Sequence, residues 1–122
     1  MIIPIFKCKD IDESIAFYTK VLDFEFVGRW PQTGSLAFAE LNLHDDVLYL
    51  STHSGDGAFG TVVTIPTDSY DNVFKKLKSR GLDTSNKKES PVHQGPVDQT
   101  WGNREFYVTD PNGNTIRFTE LN

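Results

Sequence analysis

The side chains that most often coordinate metals, histidine and cysteine, are few and scattered in this chain. Its three histidines, His44, His53 and His93, fall in or beside predicted turns, and no two of them have the spacing of a metal site. The single cysteine, Cys8, cannot form an internal disulfide, and we interpret it as a buried, inert thiol of the first strand. We therefore predict no metal site built on histidine or cysteine.

The residues that serve as nucleophiles and proton carriers also lack a recognisable arrangement. Local sequence brings no serine, histidine and acid together, although a triad assembled by folding stays open, and no elbow motif surrounds the serines Ser35, Ser51 and Ser54. Acid–base work is possible in principle for several carboxylates, but we interpret them as solvated charges at turns and strand ends: Asp45, Asp46 and Glu120. We predict no catalytic residues.

Two glycine-containing stretches resemble ligand loops only superficially. The stretch "SGDGAFG" has no following Lys-Ser/Thr pair and no helix directly behind it, so we interpret it as a linker and not as a phosphate loop. The stretch "DPNGNTIRFTEL" has its glycine at the fourth position of a calcium-type loop instead of the sixth, and Leu121 at the twelfth. Neither stretch predicts an ion site.

Length and composition favour one globular domain over residues 1–122, because 38% of the 122 residues are hydrophobic and 12% are aromatic. The net charge is −5 without a basic cluster, so nucleic acid is not expected as a partner. A cationic ligand suits this charge better, and the alternative reading is that the charge serves solubility. No apolar run is long enough for a membrane span, and the start "MIIPIFKCKD" lacks signal-peptide features. We expect a cytoplasmic protein.

The elements that position these residues follow the order βαβββ in the first half, residues 1 to about 54. The strand "IIPIFKC" is interrupted at Pro4, and Asp10 and Glu13 have capping-box spacing at the start of the helix "DIDESIAFYTKVL". The apolar stripe of that helix consists of Ile11, Ile15, Tyr18 and Leu22. Three short strands follow, separated by turn sequences: "FEFVGRW", "SLAFAELNL" and "VLYLST".

The second half, residues 59 to 122, repeats this order. A β-branched strand, "TVVTIPT", precedes a helix that is predicted to begin at Asp68 and end at Gly81. The apolar face of that helix consists of Tyr70, Val73, Phe74 and Leu77. We predict a poor strand and a long loop over residues 82–100, and then a hairpin in which "DPNG" joins the alternating strands "REFYVT" and "NTIRFTEL".

These elements predict an α+β fold of two βαβββ modules that pair edge to edge. The result is a curved mixed sheet with the helices on its outer face and a concave inner face, which is the default place for a small molecule. In the last strand Ile116 and Phe118 point to the helices, so Arg117 should point into the hollow. Arg117 then holds either a ligand anion or a buried carboxylate.

Aromatic residues are the other candidates for ligand contact. Trp101, next to Gly102 in a polar loop, is either a platform for a planar or cationic ligand or an anchor for the loop. Trp30, Phe38 and Tyr49 lie on strands of the first module, where Phe38 and Tyr49 either face the hollow or pack in the core. A weaker candidate, beside the linker glycines, is Phe59.

Two stretches, "DIDESIAFYTKVLDFEF" and "FYVTDPNGNTIRF", resemble motifs of the vicinal oxygen chelate superfamily, which includes glyoxalase I, ring-cleaving dioxygenases, fosfomycin resistance enzymes and bleomycin resistance proteins. Trp101-Gly102, Pro4 and the length near 120 resemble the bleomycin resistance branch. The chain departs from the superfamily at Asp23, where glycine is usual, but Asp tolerates the left-handed conformation.

The resemblance implies a test for metal, because enzymes of the superfamily hold a divalent ion on the concave face with His, Gln or Glu. Alignment on the motifs places Ile3, Val62 and Arg117 at three ligand positions and Tyr49 near the fourth. Two aliphatic side chains and a permanent cation cannot hold a divalent ion. We expect no metal, no other cofactor and no enzymatic turnover.

The resemblance further implies a homodimer, with the first strand exchanged between partners about Pro4. It implies a pocket that sequesters a bleomycin-type or related cationic antibiotic without altering it. Two alternatives stay open. One is a metal-dependent lyase, isomerase, dioxygenase or thiol transferase with displaced ligands, and the other is a sensor of a non-antibiotic small molecule.

Overall fold

The computed structural model describes residues 1–84, 96–98 and 104–121. They form eight strands and two helices in the order that the sequence predicts: β1 (Ile5–Lys7), α1 (Ile11–Ala16), β2 (Glu25–Trp30), β3 (Phe38–Leu43), β4 (Asp46–Ser51), β5 (Val62–Thr67), α2 (Tyr70–Ser79), β6 (Val97–Asp98), β7 (Arg104–Thr109) and β8 (Thr115–Glu120). Among the described residues no helix is both long and apolar enough to cross a membrane.

Contacts divide the chain into two compact units. The first consists of Met1–Thr61 with Asp110–Asn114, and the second of Val62–Thr109 with Thr115–Asn122. The first unit has a sheet of strand order β1-β4-β3-β2, and the second has a sheet of order β5-β8-β7-β6. In each sheet the outer pair β1–β4 or β5–β8 is parallel and the other neighbours are antiparallel. Each unit is therefore a βαβββ repeat, and the predicted α+β class is confirmed.

The core of the first unit lies between α1 and one face of its sheet. Phe6, Leu41 and Leu50 are fully buried on strands β1, β3 and β4. Helix α1 starts as predicted, because the Asp10 side chain accepts hydrogen bonds from the N–H groups of Asp12 and Glu13. The chain continues from α1 as a π-helical turn, Phe17–Val21. From the predicted apolar stripe Ile11, Tyr18 and Leu22 are buried and Ile15 is half-buried.

After the π-helical turn Asp23 takes the left-handed conformation at φ 65°, as its place in the motif predicts. Two polar contacts then connect the Asp110–Asn114 turn to the first unit. The Tyr18 hydroxyl donates a hydrogen bond to Asp110 Oδ2 over 2.7 Å. Burial is the main cause that raises the pKa of Tyr18 far above its usual range, and the negative charge of Asp110 is the next cause. Asn114 Nδ2 donates to the Lys7 carbonyl oxygen at 2.9 Å, which ties the Asp110–Asn114 turn into the first unit.

The core of the second unit lies between α2 and its sheet, and it is largely aromatic. Tyr70 and Phe74 of α2 meet the ring of Phe106 on β7 with centroid separations of 5.2 and 5.0 Å. Phe106 also stacks on Phe118 of β8 at 4.9 Å. These edge-to-face and stacked geometries are those that aromatic pairs prefer. Leu77 completes the buried face of α2, as the apolar periodicity predicts.

The first strand is interrupted at Pro4 as predicted, so β1 begins only at Ile5, because Pro4 has no N–H and contributes only its carbonyl, which accepts from Tyr49 N. Two other local predictions are wrong. Cys8 lies after the end of β1 at Lys7 and not within the strand, although it is buried as expected, and burial raises its pKa. Helix α2 begins at Tyr70 and not at Asp68, and its N-cap is Ser69 in the left-handed conformation at φ 53°.

The hairpin β7–β8 forms as predicted, but β7 is not a half-buried alternating strand. Its four central residues, Glu105 to Val108, are all buried, so both faces of β7 are covered. Most of the predicted path of residues 82–100 lies outside the described residues; the structure describes residues 82–84 and 96–98 of it, and the second of these ranges contains β6.

Candidate functional site

One face of the first sheet is directed away from α1, and it contains three of the predicted ligand-binding residues. Strand alternation places Ala39, Leu41, Leu48 and Leu50 towards the helix, where they are buried. The alternate positions of β2, β3 and β4 point the other way. We call the set Trp30, Phe38, Glu40, Asn42 and Tyr49 the aromatic face.

The three rings of the aromatic face form a row across three strands. Trp30 is the cross-strand partner of Phe38, and their ring centroids are 5.9 Å apart with planes inclined by 30°. The Phe38 ring meets Tyr49 of β4 edge to face at 4.6 Å and 77°. Trp30 remains 51% exposed, while Phe38 and Tyr49 are half-buried. Exposed rings held by neighbouring rings are suited to stack on a planar or cationic molecule.

Gly28 allows the Trp30 indole to lie against its own strand. A Cβ atom at Gly28 would meet Cη2 and Cζ2 of Trp30 at 2.6 Å, which is closer than carbon atoms can approach. The missing side chain is thus what makes room for the six-membered part of the indole. Sequence reasoning missed this residue, although the spacing of Gly and Trp in "GRW", two apart on one strand face, was a usable signal.

The polar residues of the aromatic face offer hydrogen-bond acceptors. Glu40 is the cross-strand partner of Gly28 on one side and of Tyr49 on the other. Asn42 follows on the same face, and its Oδ1 is buried without a hydrogen-bond partner among the described residues. Glu25 is the cross-strand partner of Asn42. Sequence reasoning did not select these residues, because a glutamate in a strand is usually a solvated charge.

In the second unit Arg117 lies on the sheet face opposite Ile116 and Phe118, and it forms an ion pair. Its Nη2 lies 2.8 Å from Glu105 Oε2, and Glu105 is only 2% exposed. The Tyr107 hydroxyl donates to the same oxygen at 2.7 Å, and the guanidinium lies 5.4 Å from the Tyr107 ring centroid. Of the two roles expected for Arg117, the structure shows the pairing with a buried carboxylate, and contact with a ligand anion stays a prediction.

The electrostatics of this cluster follow from its burial. The hydrogen bond to Glu105 raises the pKa of Arg117, so the guanidinium stays charged. Burial, and then the hydrogen bond to Glu105, raises the pKa of Tyr107, so the phenol stays protonated. The carboxylate thus accepts from two permanent donors.

The positions at which the superfamily's enzymes hold a divalent ion do not fit one here. Ile3 is half-buried ahead of β1, and Val62 is more than half exposed at the start of β5; neither has a donor atom. Arg117 is a cation that would repel the ion. In the parts of the chain that the structure describes, no three His, Cys, Asp or Glu side chains come together as a metal site.

Phe59, a further predicted site residue, is half-exposed and packs against two lysines, with Nζ of Lys7 at 5.4 Å and Nζ of Lys9 at 5.8 Å from its ring centroid. Trp101 and Gly102 lie outside the described residues, and their roles stay predictions.

Comparison with solved structures shows what this fold is similar to. A bleomycin resistance determinant encoded on transposon Tn5 is 23% identical, with a TM-score of 0.78 over 99% of this chain and 97% of that one. A bleomycin-binding protein complexed with bleomycin is 22% identical, with a TM-score of 0.79 over 100% and 98%. The bleomycin-binding protein of Streptomyces verticillus, complexed with copper(II)-bleomycin, is 23% identical, with a TM-score of 0.69 over 99% and 95%. At this identity the likeness concerns the fold.

Comparison at the level of sequence is more decisive. No curated protein matches the chain significantly. The family model described as the Glyoxalase/Bleomycin resistance protein/Dioxygenase superfamily matches residues 6–118, which is almost the whole chain. The predicted resemblance is thereby confirmed, and the chain belongs to the glyoxalase/bleomycin resistance protein/dioxygenase superfamily.

Proposed function

We propose that this protein binds a bleomycin-type or related cationic antibiotic and holds it without chemical change. The observation on which this proposal depends is the row of Trp30, Phe38 and Tyr49 rings on the aromatic face, with the indole half exposed. Flat apolar rings beside a carboxylate attract a flat cation through stacking, cation–π attraction and charge. A net charge of −5 favours the approach of such a ligand.

Binding without turnover is supported by what occupies the metal positions. Ile3 and Val62 offer no ligand atom, and the Arg117 guanidinium is paired with Glu105. The reactions of the superfamily's enzymes need a Lewis acid at that place, and these side chains cannot supply or hold one. The fold likeness to bleomycin-binding proteins adds support for the choice of ligand, and we propose Trp101 as a further ring at the site.

We further propose that the protein acts as a cytoplasmic homodimer in which the first strand is exchanged. The N-terminal Met1 and Ile2 are 90% and 96% exposed, which is unfavourable for apolar side chains unless a partner covers them. Pro4 marks the place where the strand leaves its ladder. A native mass measurement at micromolar protein should give twice the chain mass, and a chain mass alone would contradict the dimer.

The binding proposal is tested by calorimetric titration with metal-free bleomycin. We expect saturable binding to the wild type and at least about tenfold weaker binding to Trp30→Ala and to Tyr49→Ala. The matched control is Phe26→Ala, because Phe26 is on the same strand, is equally exposed at 51%, and pairs with Leu41 outside the aromatic face. Bleomycin recovered after incubation should have an unchanged mass.

Three outcomes would contradict the proposal. No heat at high micromolar bleomycin would favour the sensor of another small molecule. If Phe26→Ala and Trp30→Ala weakened bleomycin binding equally, the aromatic face would not be the binding site. A tightly held stoichiometric divalent ion in the purified protein, together with glyoxalase or thiol-transfer activity, would favour the enzyme alternative.

A further inference from the structure

Glu40 occupies the centre of the aromatic face and has rings on three sides. It is directly opposite Tyr49 on β4, and residues directly opposite in an antiparallel pair have Cβ atoms about 4.5–5.5 Å apart. Phe38 is the neighbouring residue of β3 on the same face. On the β2 side Glu40 is opposite Gly28, and the Trp30 indole covers that glycine. The Glu40 side chain therefore leaves the sheet at a position that is surrounded by three aromatic residues.

The charge of Glu40 is not neutralised by any residue that the structure describes. The same face of β1 carries Lys7, but its Nζ donates to the Ser54 carbonyl oxygen at 3.2 Å and lies on the Phe59 ring. On β2, Arg29 is a cross-strand partner of Ala39, on the helix side of the sheet, and its Nε pairs with Asp12 at 3.0 Å. Neither of these cations is committed to Glu40.

The groups next to Glu40 also favour a positive ligand. Asn42 Oδ1 is a buried acceptor without a donor among the described residues, and Glu25 adds a second carboxylate opposite it. A neutral ligand would leave the negative charge of the two carboxylates without a counter-charge, and an anion would be repelled by both. An organic cation balances this charge and at the same time contacts the aromatic rings, which is the arrangement that recognises ammonium groups in proteins.

We infer that Glu40 and the rings of Trp30, Phe38 and Tyr49 form a cage for an organic ammonium group, and that Glu40 selects ligands that have one. This inference rests on the proposed function, because both place the ligand on the same face of the sheet. It adds the chemical class of the group that is recognised. Glu40 makes the charge contact, and the three rings exclude water from the ammonium group. A ligand with the same shape and no charge is rejected.

The test uses choline and its neutral isostere 3,3-dimethyl-1-butanol, in which carbon replaces the nitrogen. Both are titrated into ¹⁵N-labelled full-length protein, and the indole N–H signal of Trp30 is followed, assigned by its loss in Trp30→Phe. We expect a saturable shift with choline and at least about tenfold weaker binding of the neutral isostere. Glu40→Gln, which keeps the shape of the side chain, should weaken choline binding at least about tenfold.

The matched control is Asp45→Asn, which removes the same charge from an exposed turn of the first unit and should leave choline binding unchanged. Thermal unfolding of both variants checks that they fold. The inference is overturned if choline does not shift the Trp30 signal, if the isostere binds equally well, or if Glu40→Gln binds choline like the wild type.

Titrating the same variants with metal-free bleomycin separates this inference from the proposed function. If bleomycin binds the wild type and Glu40→Gln equally, the proposed function stands and the role of Glu40 is refuted. If choline binding depends on Glu40 while bleomycin does not bind, the cage stands and bleomycin is the wrong ligand.

Discussion

Replacing Gly28 by alanine should displace the Trp30 indole without unfolding the protein. The new Cβ would meet two ring carbons at 2.6 Å, and ordinary contact begins at 3.4 Å, so the ring must move by at least about 0.8 Å at that point (from 2.6 to 3.4 Å). Since Trp30 is half exposed, the indole can swing outward into solvent. The ring would then leave both the strand and its place next to Glu40.

The expected magnitudes differ for folding and for binding. A displaced rotamer costs about 0.5–1.5 kcal/mol. Replacing glycine by alanine stabilises the folded protein by about 0.4–1 kcal/mol, because it lowers the conformational entropy of the unfolded chain. The free energy of unfolding should therefore change by less than about 1 kcal/mol. Loss of a well-placed aromatic contact should weaken bleomycin binding by about 0.5–1.5 kcal/mol, which is about twofold to twelvefold.

Calorimetric titration and the emission maximum of tryptophan measure the two parts of this prediction. Gly28→Ala should shift the emission to longer wavelength and weaken binding, while urea unfolding stays near that of the wild type. Gly55→Ala is the matched control, because a Cβ there meets nothing within 4 Å. If Gly28→Ala binds bleomycin as tightly as Gly55→Ala, with unchanged emission, the indole does not contribute to the site as we describe it.

Three further predictions concern stability. Arg117→Met leaves the Glu105 carboxylate buried without its cation and should lower the free energy of unfolding by about 2–3 kcal/mol in urea titrations, since Arg117 itself is partly exposed; adding Glu105→Gln should restore at least half of the loss. Burial raises the pKa of Tyr70 to about 12, so the protonated phenol stabilises the fold fully below pH 10, and this contribution is lost as the pH rises through 12. Tyr70→Phe should therefore flatten the fall of stability across that range. Asn114→Ala removes a fully buried side chain that bonds to the backbone of the first unit and should cost about 2–3 kcal/mol in thermal unfolding, while exposed Asn72→Ala should change little.

Each of these has an outcome that would contradict it. An Arg117→Met protein as stable as the wild type would mean that Glu105 does not depend on the guanidinium. An unchanged slope of stability against pH in Tyr70→Phe would mean that the phenol titrates as it does in the unfolded chain. Equal effects of the two asparagine variants would mean that the Asp110–Asn114 turn is not anchored through Asn114.

The elements that local sequence determines were predictable. Helix α1 follows from its apolar stripe and the Asp10 cap, and the closing hairpin follows from two alternating strands around "DPNG". The start of α2 was missed, because capping preference favours Asp68 and does not predict the left-handed conformation that Ser69 takes.

The candidate site was predictable only in part, because it depends on strand register. Trp30, Phe38 and Tyr49 could be placed on strands, but their row needs the pairing of β2 with β3, which shifts at an irregularity between Phe26 and Gly28. A shift of one residue would have turned a ring to the helix side. Glu40 could not be selected either, since its surroundings come from two other strands.

The central claim is that the aromatic face of the first sheet binds the ligand, and intermolecular nuclear Overhauser effects test it most directly. In a sample saturated with metal-free bleomycin, ring protons of the ligand should show effects to the side-chain protons of Trp30, Phe38 and Tyr49. The claim would be contradicted if a saturated complex showed no effect to any of these three rings, or showed effects only to residues on the helix side of the sheet.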